Sequence, residues 1–113
     1  MPNKYRRNAL AQEYSLSSDS QFMSYKNLLV SSIKYDAAII ATMDNKHTDP
    51  IISFLRKGCH ILVEKPLTDK FHDGLKILRE QKKSNHILSV CHTLRYMDAF
   101  RHLLSFIKIN ILK

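Results

Sequence analysis

Three short apolar runs limit what this chain can fold into. Ala37-Ala38-Ile39-Ile40-Ala41, His60-Ile61-Leu62-Val63 and His86-Ile87-Leu88-Ser89-Val90-Cys91 begin about 25 residues apart. Each has strand length, and 37–41 lacks polar alternation, the pattern of a strand buried on both faces. The intervals between them are helix-forming. Asp49 before Pro50 predicts an N-cap with proline at the first helical position, Ile51, Ile52 and Leu55 make one apolar stripe, and Gly58 stands where a helix would end in a left-handed residue. A helix is therefore predicted over 50–57. Thr68 is predicted to cap a longer helix whose Phe71, Leu75 and Leu78 fall at i, i+4 and i+7, ending at Lys82-Lys83. Strands that alternate with helices pair in parallel, because the chain must cross back before each new strand. The prediction is an α/β chain, a Rossmann-type parallel sheet with helices on both faces.

The flanks add less. Asn3 predicts a cap for a helix carrying Leu10 and Tyr14 that stops before Ser15–Ser20. Phe22 to Tyr25 has the apolarity of a short strand, and Leu28, Leu29 and Ile33 suit a short helix. After the third run, Phe100, Leu103, Leu104, Ile107 and Ile111 keep helical spacing. A doubly wound domain opens with a strand and a glycine-rich phosphate-binding turn. Here a helix comes first, and Gly58 and Gly74 are the only glycines, so no G-x-G-x-x-G occurs. At 113 residues the expectation is one domain over 1–113, a partial Rossmann-type unit without the first strand and its glycine-rich turn.

Several function classes are disfavoured by composition. MPNKYRRNALAQEY has no apolar segment of the kind a secretory signal needs, and the longest aliphatic run is too short to span a bilayer. Two cysteines make no disulfide framework, so the expectation is a cytoplasmic, reduced chain. The net charge is +8, from 18 Lys+Arg against 10 Asp+Glu, which favours anionic partners. The basic residues are scattered without aromatic interleaving, which argues against nucleic acid. Cys59, His60, Cys91 and His92 form no C-x2-C pair, and Cys-His neighbours point to opposite faces of a strand, so no metal site is predicted.

Polar clusters follow each apolar run: Thr42-Met43-Asp44-Asn45-Lys46-His47, then Glu64-Lys65-Pro66, then His92-Thr93-Leu94-Arg95-Tyr96. In an open parallel sheet all three would share the rim beyond the strands' carboxyl ends, where such sheets bind ligands.

These clusters carry a resemblance. The elements IIAT-x4-H-x2-P, G-x-H-x-L-x-EKP-L and CH-x-LRY, in this order and spacing, resemble the N-terminal dinucleotide-binding domain of the glucose-fructose oxidoreductase / inositol dehydrogenase / MocA (Gfo/Idh/MocA) family. MPNKYRRNALAQEY resembles the D-P-N-x-x-R stretch after that family's second strand, with Met1 where a ribose-binding acid is expected. The resemblance implies an oxidoreductase moving hydride between a sugar or polyol hydroxyl and NAD or NADP. It implies that the first two strands and the C-terminal substrate domain are absent from these residues, hence little activity and weak cofactor binding in the chain alone. It makes Lys65 the catalytic lysine beside the nicotinamide ribose, with Glu64 placed to hold it and a cis Lys65–Pro66 bond. An ammonium there can hydrogen-bond the reacting hydroxyl and stabilise negative charge developing on it. Thr42, His47, Glu64, Pro66, His92 and Arg95 become cofactor-side residues, loop packing remaining an equal reading for His47, and Tyr96 is expected mainly to pack. Met43 and Asp44 depart from the family's usual Thr-Pro-Asn, and Asp44 is expected to cap the loop or point at a hydroxyl. The competing reading is a non-enzymatic α/β interaction module, and a missing neighbour strand would leave an apolar edge prone to self-association.

Overall fold

A computed structural model describes residues 3–110, with side chains as far as Lys108. Met1 and Ile111, both used above, lie outside the described residues. The elements run α1 (Lys4–Glu13), α2 (Tyr25–Leu29), β1 (Ala37–Ile40), α3 (Thr48–Arg56), β2 (His60–Glu64), α4 (Phe71–Ser84), β3 (Leu88–Cys91) and α5 (Asp98–Asn110), with 3-10 turns at Asp44–Lys46 and Thr93–Tyr96 among the connections. The three strands form a parallel sheet in the order β1-β2-β3. Ala38, Ile61 and Leu88 lie level across it, as do Ile40, Val63 and Val90.

Among the described residues the sheet is covered on one face only. Along β2 burial alternates, with Ile61 and Val63 buried while Leu62 is 40% exposed, and on β1 Ile40 is buried while Ile39 is 79% exposed. The reason lies in the strand order. Crossovers of one hand that step in one direction along a sheet put their helices on the same side, and only a reversal of direction covers the other. α3 and α4 accordingly pack together over one face, where Ile51, Phe54, Leu55 and Ile77 close a core with Ile40, Cys59, Ile61 and Val63. Tyr35 meets the Phe54 ring edge-on at 5.6 Å, and Tyr25 meets it tilted at 6.2 Å.

The Asn3 carboxamide accepts from Arg6 N at 3.1 Å, and Gly58 has φ +81, as predicted. Phe22 to Tyr25 is not a strand; Ser24 accepts from Lys26 N and starts α2 instead. α3 begins at Thr48, earlier than Asp49-Pro50 suggested, because the 3-10 turn at Asp44–Lys46 runs directly into it. Pro50 still falls among the first helical residues, whose N–H groups have no partner inside the helix. Thr68 accepts from Lys70 N at 3.2 Å, closing a turn ahead of α4 rather than capping the helix. The stripe of Phe71, Leu75 and Leu78 is the outer face of α4: Phe71 is 84% exposed, while Ile77 enters the core. Leu10 and Tyr14 likewise stay exposed on α1, where Ala11 is the buried residue.

Candidate functional site at the strand exits

Parallel strands deliver their exits to one rim, so the three polar clusters come together as predicted from their order. β2 is central, and its last residue, Glu64, pairs with Cys91 of β3. Lys65 and His92 are therefore the next residues out of neighbouring strands. The Lys65–Pro66 peptide is cis. Thr42, Glu64, Lys65, Pro66, His92 and Arg95 are all exposed.

His47 is different. It is fully buried, with Nδ1 2.9 Å from the Pro66 carbonyl oxygen and Nε2 3.1 Å from that of Thr42. Its ring offers no exposed atom to a cofactor, so of the two readings open for His47 the geometry selects loop packing. The consequence is structural: one imidazole ties the exit of β1 to the turn after β2. The Thr42 hydroxyl donates to Lys46 O at 3.4 Å, closing the same loop.

Other details differ from expectation. Glu64 and Lys65 make no ion pair among the described residues, because successive residues leaving a strand point to opposite sides. The Asp44 side chain makes no cap; the residue opens the 3-10 turn through its backbone, its carbonyl accepting from His47 N. Tyr96 is 81% exposed at the end of the Thr93–Tyr96 turn, so it does not pack. Arg95 rides on the same turn, its N–H donating to His92 O at 3.0 Å.

Cys59 and Cys91 sit at opposite ends of adjacent parallel strands, about 16 Å apart at the usual rise per residue. The Cys59 thiol donates to Tyr35 O at 3.6 Å, and burial, helped by nearby Asp36, pushes it above the ordinary thiol range. It is a core group and a poor nucleophile. Beside the rim, a groove of 320 Å³ opens along the first turns of α4 between Thr68, Phe71, Gly74, Leu75 and Leu78. Nothing in the sequence pattern pointed to it, because Phe71 and Leu75 read as core.

A parallel sheet with helical crossovers and a polar rim at the strand exits defines a Rossmann-type α/β unit. Comparison with known proteins places it more closely. Residues 1–92 match the GFO_IDH_MocA family, described as an oxidoreductase family with an NAD-binding Rossmann fold. The chain belongs to that family. An NAD-binding protein from Listeria innocua is 34% identical, with a TM-score of 0.65 over 79% of this chain and 24% of its own. Myo-inositol 2-dehydrogenase from Lactobacillus plantarum shares the fold at a TM-score of 0.86 and 19% identity, over 96% of this chain and 31% of its own. An uncharacterised oxidoreductase of Streptococcus pneumoniae is 28% identical over 74 residues, 66% of this chain and 20% of that protein. The matched region thus spans a fifth to a third of the relatives' length.

Proposed function

We propose that this chain forms the nicotinamide-side rim of an NAD- or NADP-dependent oxidoreductase acting on a sugar or polyol hydroxyl, with Lys65 as its catalytic residue. The observation that carries the reading is the setting of Lys65. It leaves the central strand at the ligand-binding end of the sheet, exposed, with no ion pair among the described residues. The ammonium there keeps its three donors available to a ligand at the rim. The name of the inositol dehydrogenase that shares the fold supports a polyol-like substrate.

The residues present fit one end of a dinucleotide. When bound, the nicotinamide accepts or returns a hydride. The Lys65 ammonium would donate a hydrogen bond to the substrate oxygen and stabilise the partial negative charge that oxygen carries in the transition state. Thr42, His92 and Arg95 offer a hydroxyl, an imidazole and a guanidinium along the same rim, suited to ribose and phosphate oxygens. Glu64 and Pro66 flank the lysine and shape its turn. The pyrophosphate end is not matched: these 113 residues contain no glycine-rich turn to cradle it. The chain by itself therefore binds dinucleotide weakly, through charge, and is nearly inactive. The setting proposed is a reducing cytoplasm, where Cys59 and Cys91 are free thiols.

The open sheet face favours a second reading, a protein-interaction module. Ile39, Leu62 and Ile87 lie exposed there, and Phe100, Leu103 and Leu104 are exposed on α5, so self-association is expected under either reading.

Titration of NADH into isotope-labelled chain, followed residue by residue by NMR, tests the function. Losing several charge-assisted hydrogen bonds at about 1.5 to 3 kcal/mol each leaves a millimolar or weaker site. The expected shifts fall at Thr42, Lys65, His92 and Arg95 and fade with added salt. Shifts confined to α1, or a dissociation constant below about 10 μM that ignores salt, would overturn the reading.

A further inference from the structure

Two apolar surfaces of this chain are left bare, and they match in size. The first is the open sheet face, where Ile39, Leu62 and Ile87 point outward and are exposed. Its strands are four or five residues long, so the face measures about 15 Å along them and about 10 Å across the three. The second is the stripe that Phe100, Leu103, Leu104 and Ile107 form on α5 at i, i+3, i+4 and i+7, the first three exposed and Ile107 half-buried. A 13-residue helix is about 20 Å long and about 10 Å wide, so one α5 covers one open face.

Within its own chain α5 does not do so. It packs chiefly on the Thr93–Tyr96 turn and stands away from the sheet. The radius of gyration is 17.6 Å, against about 13 Å for a compact domain of this length. We propose that the occupant is a second copy of this chain: α5 of each protomer lies on the open sheet face of the other, a reciprocal exchange that closes at two. The area favours reciprocity. One helix-on-sheet contact has a plan area of about 200 Å² on each side, and a closed exchange has two such contacts. Its four surfaces come to about 800 Å² in plan, which the relief of the side chains raises toward the roughly 1,200 Å² where specific interfaces begin. A one-way contact would bury half as much.

Charge fixes the orientation. Glu64 is the only acidic or basic residue of the three strands apart from His60, alternation puts it on the open face, and it makes no ion pair among the described residues. Arg101 and Lys108, both exposed, lie two turns apart along one side of the α5 stripe, so either direction of the helix brings a cation to that carboxylate. Such a pair adds little strength. The net charge of +8 on each copy opposes their approach, so apolar burial has to drive the pairing. None of this depends on whether Lys65 proves catalytic.

The test is sedimentation equilibrium on the full chain without cofactor, so that its failure is separate from failure of the proposed function. The expected result is a monomer–dimer equilibrium with no larger species. Ile39→Lys and Leu104→Glu, both at side chains exposed in the single chain, should each keep the circular dichroism spectrum and weaken dimerisation about 10²-fold, because each puts a charge into both contacts. Mixed in equal amounts, the two variants should dimerise again. One contact then joins an unaltered helix to an unaltered sheet, and the other brings the introduced carboxylate to the introduced ammonium. An unaltered chain that stays monomeric would overturn the exchange, as would assembly that grows beyond two. Weakening by Ile39→Lys alone would mean sheet on sheet, weakening by Leu104→Glu alone would mean helix on helix, and either result, or a mixture that stays monomeric, refutes it.

Discussion

Replacing Ile77 with alanine should cost this chain more stability than any change along the apolar stripe of the same helix. Ile77 is 1% exposed and packs among Ile51, Leu55 and Ile61, whereas Phe71, a larger side chain, is 84% exposed. The substitution removes three outer carbons, worth about 2.4 kcal/mol of transfer at roughly 0.8 per buried carbon. The unfilled space adds to that, since the β2 and α3 backbones that frame it are held by the sheet and cannot collapse freely. A total of about 3 kcal/mol falls within the range for aliphatic-to-alanine core changes. For a domain of this size that lowers the melting temperature by on the order of 10 °C. Phe71→Ala should stay within about 0.5 kcal/mol. Urea unfolding followed by circular dichroism, at dilution that suppresses association, gives both values. A loss at Phe71 equal to or larger than that at Ile77 would mean that α4 is rotated about its axis from the packing described here.

Three further outcomes are expected. In a chimaera joining this chain to the first strands and substrate domain of a relative, Lys65→Ala should lower kcat about 10²-fold or more, about 2.7 kcal/mol, with little change in cofactor affinity; near-normal turnover in steady-state assays would make the lysine structural. Glu80, which accepts from Arg56 at 2.8 Å and from Lys83 at 3.3 Å, is held down to about 2 from an ordinary 4.5, chiefly by the Arg56 hydrogen bond. A carboxyl depressed by folding stabilises above its unfolded value and loses that contribution as pH falls through the folded one, so the stability gap between the chain and Glu80→Gln, read from urea midpoints, should narrow from pH 4.5 down to about 2. Ile39→Lys puts a charge on the open sheet face, where the side chain is 79% exposed, and should shift sedimentation toward monomer while leaving the melting temperature nearly unchanged; a large drop in melting temperature would show that Ile39 is packed.

Much of this protein was legible in the linear chain because the signals were local. Apolar runs of strand length separated by helix-length intervals dictate parallel pairing, and Gly58 marks a left-handed stop, since each depends only on residues a few positions apart. The shared rim followed from the same logic: if the strands are parallel, Thr42, Lys65 and His92 must leave on one side. Which face of each element is covered could not be read so directly. The i, i+4, i+7 rule finds a stripe on α4, but Phe71 and Ile77 are both apolar, and only the position of α3 decides that Ile77 points inward. The continuous apolarity of the strands suggested cover on both faces; the strand order β1-β2-β3 leaves one open, because like-handed crossovers running one way stay on one side. His47 shows the limit most plainly. Its spacing from Thr42 placed it in the rim loop, yet its role turns on a carbonyl 19 positions later, at Pro66, and a contact of that range exists only once the sheet has brought two strand exits together.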